Sequence, residues 1–205
     1  MAIETYLQFD EAGNQVQACA KAGHPGDNWY KVPKDYAPVK RYRFVDGGMI
    51  EVTEEQQKEE RRKKTIKECV HRIKRYRDDR IVSGGFPHAE HWWHSDVRSR
   101  SHHQRLQANA NNIEDFPPWV DMEGNDVRLT REIAGGIDTA GTKHEIAIYA
   151  AARSHIAAMK LSDHPESYDF TGDIPKKFFD ILKKAAAKNP SGPQPVKGWP
   201  AMYGK

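Results

Sequence analysis

Cysteine is nearly absent from this sequence. The 205 residues hold two, Cys19 and Cys69, far apart and outside any CxxC pair. A disulfide framework and a cysteine-based zinc site are thereby excluded, and reduced thiols are expected. Long apolar runs are missing too: nothing approaches the ~20 residues that a membrane-spanning helix needs. The opening Met1-Ala-Ile-Glu-Thr-Tyr6 has no basic residue ahead of an apolar stretch, so no secretion signal is expected. There is no P-loop and no GxSxG, and Gly84-Gly85 and Gly135-Gly136 lack the strand–glycine–helix setting of a dinucleotide site. A large excess of one charge is lacking as well. Lys and Arg number 32 against 29 Asp and Glu, a net +3 that does not by itself call for a nucleic-acid partner. No repeat of fixed period is present. With 38% apolar and 30% charged residues, a modest core is within reach, and much of the chain must face water or a partner.

What is present is a succession of short hairpins and longer helices. Ile3–Phe9 alternates, Gly13-Asn14 turns, and Gln15–Ala20 returns. Residues 21–39, with Gly23, Pro25, Gly26, Pro33 and Pro38, read as a connector. Lys40–Val45 and Met49–Val52 flank Asp46-Gly47-Gly48, a hairpin turn in which both glycines tolerate positive φ. Thr53 and Gln56 form a capping box for a helix running to Gly84-Gly85. Its first half, 54–64, has no apolar side chain, and carries Glu54–Lys58, Glu59–Lys63 and Glu60–Lys64 at i, i+4. Its second half has an apolar stripe: Ile66, Cys69/Val70, Ile73, Tyr76 and Ile81. Residues 86–96 are strand or loop. Ser95 or Asp96 caps a helix over roughly 97–110, with Asp96–Arg100 as a further i, i+4 pair, and Pro117-Pro118 stops that region. Trp119–Met122 and Asp126–Leu129 flank Glu123-Gly124-Asn125 as a third hairpin. Thr130 caps a helix to about Leu161, which Gly135, Gly136 and Gly141 are expected to weaken or break. A last helix begins at Asp173 with Pro175 in its first turn and an apolar face of Ile174, Phe178, Leu182 and Ala185. The tail from Asn189 holds four prolines. The expected fold is α+β. It comprises an N-terminal β-hairpin attachment domain (1–52), a long connecting helix (53–83), a hairpin–helix–hairpin–helix domain (84–161), and a helix with an extended Pro/Gly-rich C-terminal arm (162–205).

Several constellations invite a chemical reading. His91, His94, His102 and His103 are the candidates for a metal, with His88 nearby. On a strand over 90–94, however, His91 and His94 point to opposite faces, which argues for packed or surface imidazoles and for no metal or other cofactor. His94-Ser95-Asp96 has triad composition, but adjacent side chains diverge, so helix capping is the expected role and no catalytic residue is assigned. Arg61–Arg77 contains nine Lys/Arg and one acid, Glu68. The neighbouring Glu54, Glu55, Glu59, Glu60, Asp78 and Asp79 offset it, which argues against nucleic acid. The Lys-rich last helix is read as packed through Phe178 and Leu182, not laid on a membrane. Of five tryptophans, Trp92, Trp93 and Trp119 are expected in the core of the middle domain. Trp29 and Trp199 lie in connectors and, with Tyr30 and Tyr203, are candidate anchors into a neighbouring subunit; the alternative is that they fold back on their own domain. The alanines at 147, 150–152, 157 and 158 suit close helix contact.

Four segments, in order, carry a resemblance. They are Tyr42–Glu55; Arg77–Gly85 followed by Trp93-His94-Ser95-Asp96 and Ser99-Arg100; Trp119 with Asp121–Gly124 and Val127–Thr130; and Ala150–Met159. Together they resemble a tailed-bacteriophage tail or tail-fibre-region family ending in a phage domain of unknown function. The match covers about residues 40–160. Val120 and Asp121 stand where that family usually has a lysine ahead of its acidic–glycine turn, the 86–92 loop is unusually His-rich, and 162–205 has no counterpart. The resemblance implies a non-enzymatic virion structural protein of the tail or tail-fibre apparatus, an adaptor with other tail proteins and further copies of itself as partners. It would be located in the virion tail, and in the host cytoplasm during assembly. A tail-fibre assembly chaperone, or a metal- or nucleic-acid-associated phage protein, are the alternatives. The family brings no catalytic residues with it.

Overall fold

The computed structural model describes residues 4–21, 25–27, 29–32, 41–112 and 118–204, and the chain divides into two compact units, 1–63 and 64–205. The fold is α+β, with four helices and small antiparallel sheets among the described residues. Gly23, Pro33, Pro38 and Pro117, which entered the reading of connectors and helix stops, lie outside the described residues.

In the first unit β1 (Glu4–Phe9) pairs with β2 (Gln15–Lys21) and, on its other edge, with β3 (Trp29–Lys31). Part of the expected connector is therefore a strand. Tyr30 draws it in: its ring stacks on Phe44 at 3.9 Å and meets the edge of Phe9 at 5.8 Å. β4 (Arg41–Val45) and β5 (Gly48–Val52) form the second hairpin. Its turn places Asp46 and Gly47, not the two glycines, at positive φ, and Gly48 belongs to β5. Two adjacent positive-φ residues match the right-handed strand twist of a two-residue hairpin, and Asp-Gly is a favoured pair there. Leu7, Phe9 and Tyr42 are the buried centre.

Gly13 ties the hairpins together. It sits at φ +77°, and its carbonyl accepts from Phe44 N–H at 2.8 Å. A Cβ there would lie 2.2 Å from the Phe44 carbonyl oxygen. Gly13→Ala is expected to cost roughly 2–3 kcal/mol through the left-handed backbone and the forced separation of β4. Urea unfolding of the first unit checks it, and an unchanged midpoint would mean that the two hairpins are not locked at this point.

The helix α1 (Glu54–Ser83) opens with the capping box: Thr53 N–H donates to Gln56 Oε1 at 2.9 Å, and Gln56 N–H to Thr53 Oγ1 at 3.2 Å. Glu59 pairs with Lys63 at 3.5 Å, but Glu60 pairs with Arg43 instead of Lys64. Gly84 and Gly85 end α1, with Gly85 at φ +64°.

The second unit has two apolar centres. One joins Cys69 and Ile73 of α1 to Ala152, Ala158 and Met159 of α3 (Arg131–Lys160), and to Tyr168, Ile174 and Phe178. The other joins Phe86 of β6 (Phe86–His88) and Trp93 of β7 (His91–Trp93) to Ala110, Val127, Leu129, Ala134 and Ile137. α2 (Val97–Asn109), β8 (Trp119–Val120) and β9 (Asp126–Val127) complete this half. α3 is one unbroken helix, contrary to the expected break. Its glycines form a seat for the β6–β7 hairpin, because a Cβ on Gly136 would lie 2.8 Å from His88 Cε1 and one on Gly141 would lie 3.2 Å from the Phe86 ring. Close packing offsets their poor helix propensity.

The β6–β7 turn is built on Ala89 and Glu90, both at positive φ, with His88 opposite His91. Nothing in Ala-Glu announces a hairpin, which is why only strand or loop was expected. The pair Ala89→Asn and Glu90→Gly is expected to stabilise the second unit by about 1 kcal/mol, since both replacements suit this backbone. A lower denaturation midpoint would count against the turn geometry.

The last helix, α4 (Lys176–Ala187), starts later than expected; Pro175 precedes it instead of sitting in its first turn. Phe178 is buried and Leu182 half-buried as expected, but Ala186 turns inward and Ala185 outward. The segment 189–204 has neither helix nor strand, yet it is laid back on its own unit. Val196 N–H donates to Ser154 Oγ at 3.0 Å, Ile174 N–H to the Lys197 carbonyl at 2.7 Å, and Tyr203 N–H to the Gly84 carbonyl at 3.1 Å.

Candidate functional site: an aromatic and histidine cleft

The turn joining β7 to α2 decides the chemistry of His94-Ser95-Asp96. Asp96 Oδ1 accepts from the Arg98 and Ser99 N–H groups at 3.0 and 3.1 Å, and Oδ2 from Ser99 Oγ at 2.6 Å. These bonds lower its pKa, the Ser99 hydroxyl contributing most. Ser95 Oγ accepts from Gly85 N–H at 3.0 Å. Serine and aspartate are thus spent on a cap and a corner. The expected Asp96–Arg100 pair is replaced by Arg100 with Glu145 at 2.5 Å, because the cap occupies the carboxylate.

The four candidate histidines divide. His94, His102 and His103 line one open cleft of about 220 Å³ with Trp93, Ser99, Pro118, Trp119 and Val120. His103 is buried edge-on to Phe86 at 5.4 Å, and burial holds its pKa down at about 4. His102 lies 6.1 Å from the Trp119 ring, and His94 is exposed. His91 instead donates from Nδ1 to Asp121 Oδ2 at 3.0 Å. Among the described residues no group of three or more His, Cys, Asp or Glu is placed to hold a metal ion.

The sequence marks Asp121 only as part of a hairpin, although Asp-Met-Glu-Gly-Asn has the short-range acceptor pattern of a side-chain-closed turn. It is buried. Burial alone would raise its pKa, but N–H groups of Asn125 and Glu123, the Asn125 amide and His91 pull it down to about 2. Met122 N–H donates to the Trp92 carbonyl at 2.8 Å, so this clasp joins the β8–β9 turn to β7.

A second polar cluster lies under the C-terminal segment. The Trp199 ring stacks on buried His155 at 5.1 Å and 12°, donates Nε1 to the Phe170 carbonyl at 2.7 Å, and sits beneath the Arg80 guanidinium. Arg80 also donates to Tyr76 Oη at 3.2 Å and to the Pro200 carbonyl. His155 Nδ1 is 3.1 Å from Tyr168 Oη; burial lowers His155 to about 4 and raises Tyr168 to about 12. Of the four anchor candidates, Trp199 and Tyr30 are therefore engaged inside their own units. Trp29 is half-buried in β3, and Tyr203 stays partly exposed with its ring 6.2 Å from Trp92. Ring stacking and backbone hydrogen bonds hold residues 196–203 of the expected extended arm to their own unit, the fold-back alternative for Trp199.

The chain belongs to the family described as Domain of unknown function (DUF4376), which it matches over residues 61–172. That stretch runs from within α1, through both hairpins and α2, to the end of α3 and the turn after it, and so contains the whole cleft. No curated protein and no solved structure matches the chain. No helix among the described residues is long and apolar enough to cross a membrane.

Proposed function

We propose that this chain is a non-enzymatic structural protein of a tailed-bacteriophage tail or tail-fibre apparatus, an adaptor that seats a neighbouring subunit. The cleft carries this reading. It offers the half-buried Trp119 ring, two accessible imidazoles, and Val120, which is 54% exposed. An aromatic wall beside an exposed apolar rim suits the anchoring side chain of a protein partner. Ile146 and Tyr149, exposed one turn apart on α3, add a second apolar surface in the same unit. The ordered resemblance of residues 40–160 supplies the phage context, with the virion tail as the final location and the host cytoplasm as the place of assembly.

Val120→Asp puts a charge on the rim and touches no core side chain. Quantitative mass spectrometry of purified virions is expected to find the native chain in stoichiometric amount and the variant depleted at least fivefold, with its melting temperature unchanged. A native chain bound to fibres in infected cells and missing from virions would replace the adaptor by an assembly chaperone. Full incorporation of the variant would remove the cleft from the argument.

A further inference from the structure

Overall charge balance conceals a one-sided distribution on α1. From Lys64 onward the buried residues Cys69 and Ile73 fix which side of the helix meets the core. The opposite side carries Lys64, Lys67, His71, Lys74 and Arg75, all exposed, over roughly 17 Å at 1.5 Å per residue. Three of the acids that balance this run in the sequence are paired with other cations. Glu59 pairs with Lys63, Glu60 with Arg43, and Asp78 with Arg77. Among the described residues no carboxylate forms an ion pair with Lys64, Lys67, Lys74 or Arg75; Arg75 donates only to His71 Nε2, at 3.3 Å. Glu68, at the edge, is the one acid within the run.

We propose that this side of α1 binds the phosphate backbone of nucleic acid without reading its sequence. Three kinds of anionic partner suit a row of cations, and the rest of the surface decides among them. A membrane needs an apolar face beside the basic one, but the apolar face of α1 is already buried in its own core. A protein partner needs apolar or aromatic anchors for most of its binding energy. Every exposed side chain on this side, from Lys64 to Asp78, is charged or is His71. A nucleic-acid backbone needs only cations, because the driving force is release of its condensed counterions. The rungs recur about every 5 Å along a straight helix, a regular array that tolerates any register on a regular polyanion.

Fluorescence anisotropy of the full chain with a short labelled mixed-sequence duplex tests this. Four engaged cations predict that log K falls against log salt with a slope of about −4 between about 50 and 200 mM. Combined Lys64→Gln, Lys67→Gln, Lys74→Gln and Arg75→Gln is expected to weaken binding at least ~10-fold at the lower salt and to flatten the slope to near zero. These positions are exposed, and circular dichroism should match the native chain. The control changes Lys176, Lys177, Lys183 and Lys184 of α4 to Gln and should leave the affinity within twofold. The proposal is overturned by absence of duplex binding, by a loss that follows the α4 variant instead, or by competition from polyglutamate or phosphatidylserine vesicles as strong as that from unlabelled duplex. None of these outcomes bears on the adaptor reading, which rests on Val120 and the cleft.

Discussion

Trp93→Ala is expected to cost the second unit roughly 3–5 kcal/mol, enough to unfold a marginal domain. The ring is 1% exposed and lies where β7 meets α2 and β8. It touches His91, His103 and Trp119 at centroid distances of 5.9, 6.4 and 6.4 Å, and donates Nε1 to the His88 carbonyl at 2.9 Å. Alanine leaves a large cavity between packed elements, and removes the indole donor from the His88 carbonyl in the hairpin that α3 seats. Trp93→Phe keeps most of the apolar area and loses the hydrogen bond, so its cost should be near 1–2 kcal/mol. Urea denaturation followed by far-UV circular dichroism reads both. A native-like midpoint for the alanine variant would mean that Trp93 does not organise this core.

Acid is expected to be the second severe stress, at a pH where most carboxylates are still ionised. His103 and His155 are both buried, and burial holds both near pKa 4 against an ordinary 6.5. Each folded state thus prefers the neutral ring. Above about pH 6.5 both rings are neutral whether folded or not, and the full stability is present. As the pH falls from 6.5 to 4 the unfolded chain takes up protons that the folded chain resists, and stability drains away on the order of 2–3 kcal/mol per group. His155 is the harsher case. Asp169 and Asp173 favour its charged form, but Arg80 opposes it, and its Nε2 is buried with no hydrogen-bond partner. Asp121 works in a lower window: its stabilisation is complete above about pH 4 and is lost as the pH falls toward 2. Thermal melts at pH 7, 5.5 and 4 should therefore show a fall that begins above the ordinary carboxylate range. His155→Gln should flatten part of that fall while lowering the plateau at pH 7. A melting temperature constant from pH 7 to 4 would contradict the burial of both rings.

Both predictions turn on residues of unequal legibility. Trp93 was readable as core, because a large apolar ring in a modest chain has few other places to go. His155 was not. It stands in an alanine-rich run where helical spacing alone cannot say which neighbour covers it, and its cover, Trp199, comes from 44 positions later. The candidate cleft was half legible. Strand alternation already sets His91 apart from His94, but only the fold brings His94 to His102 and His103 and gives His91 to Asp121 of another hairpin.

Local rules acted over a few residues and so were present in the chain order itself. The Thr53–Gln56 box, the Asp96 and Thr130 caps, the glycine stops and the alternation of the first hairpins each need only neighbours within one turn of backbone. They determined the α+β class and the limits of three helices. Packing decided the rest, because it depends on which surfaces meet. It kept α3 whole by giving its glycines a hairpin to receive, drew Trp29–Lys31 into a sheet, and folded the proline-rich segment onto Trp199's own pocket. It also drew Glu60 to Arg43 and, by burying the other face of α1, left one row of lysines facing solvent, a separation that a sum of charges over the sequence cannot contain.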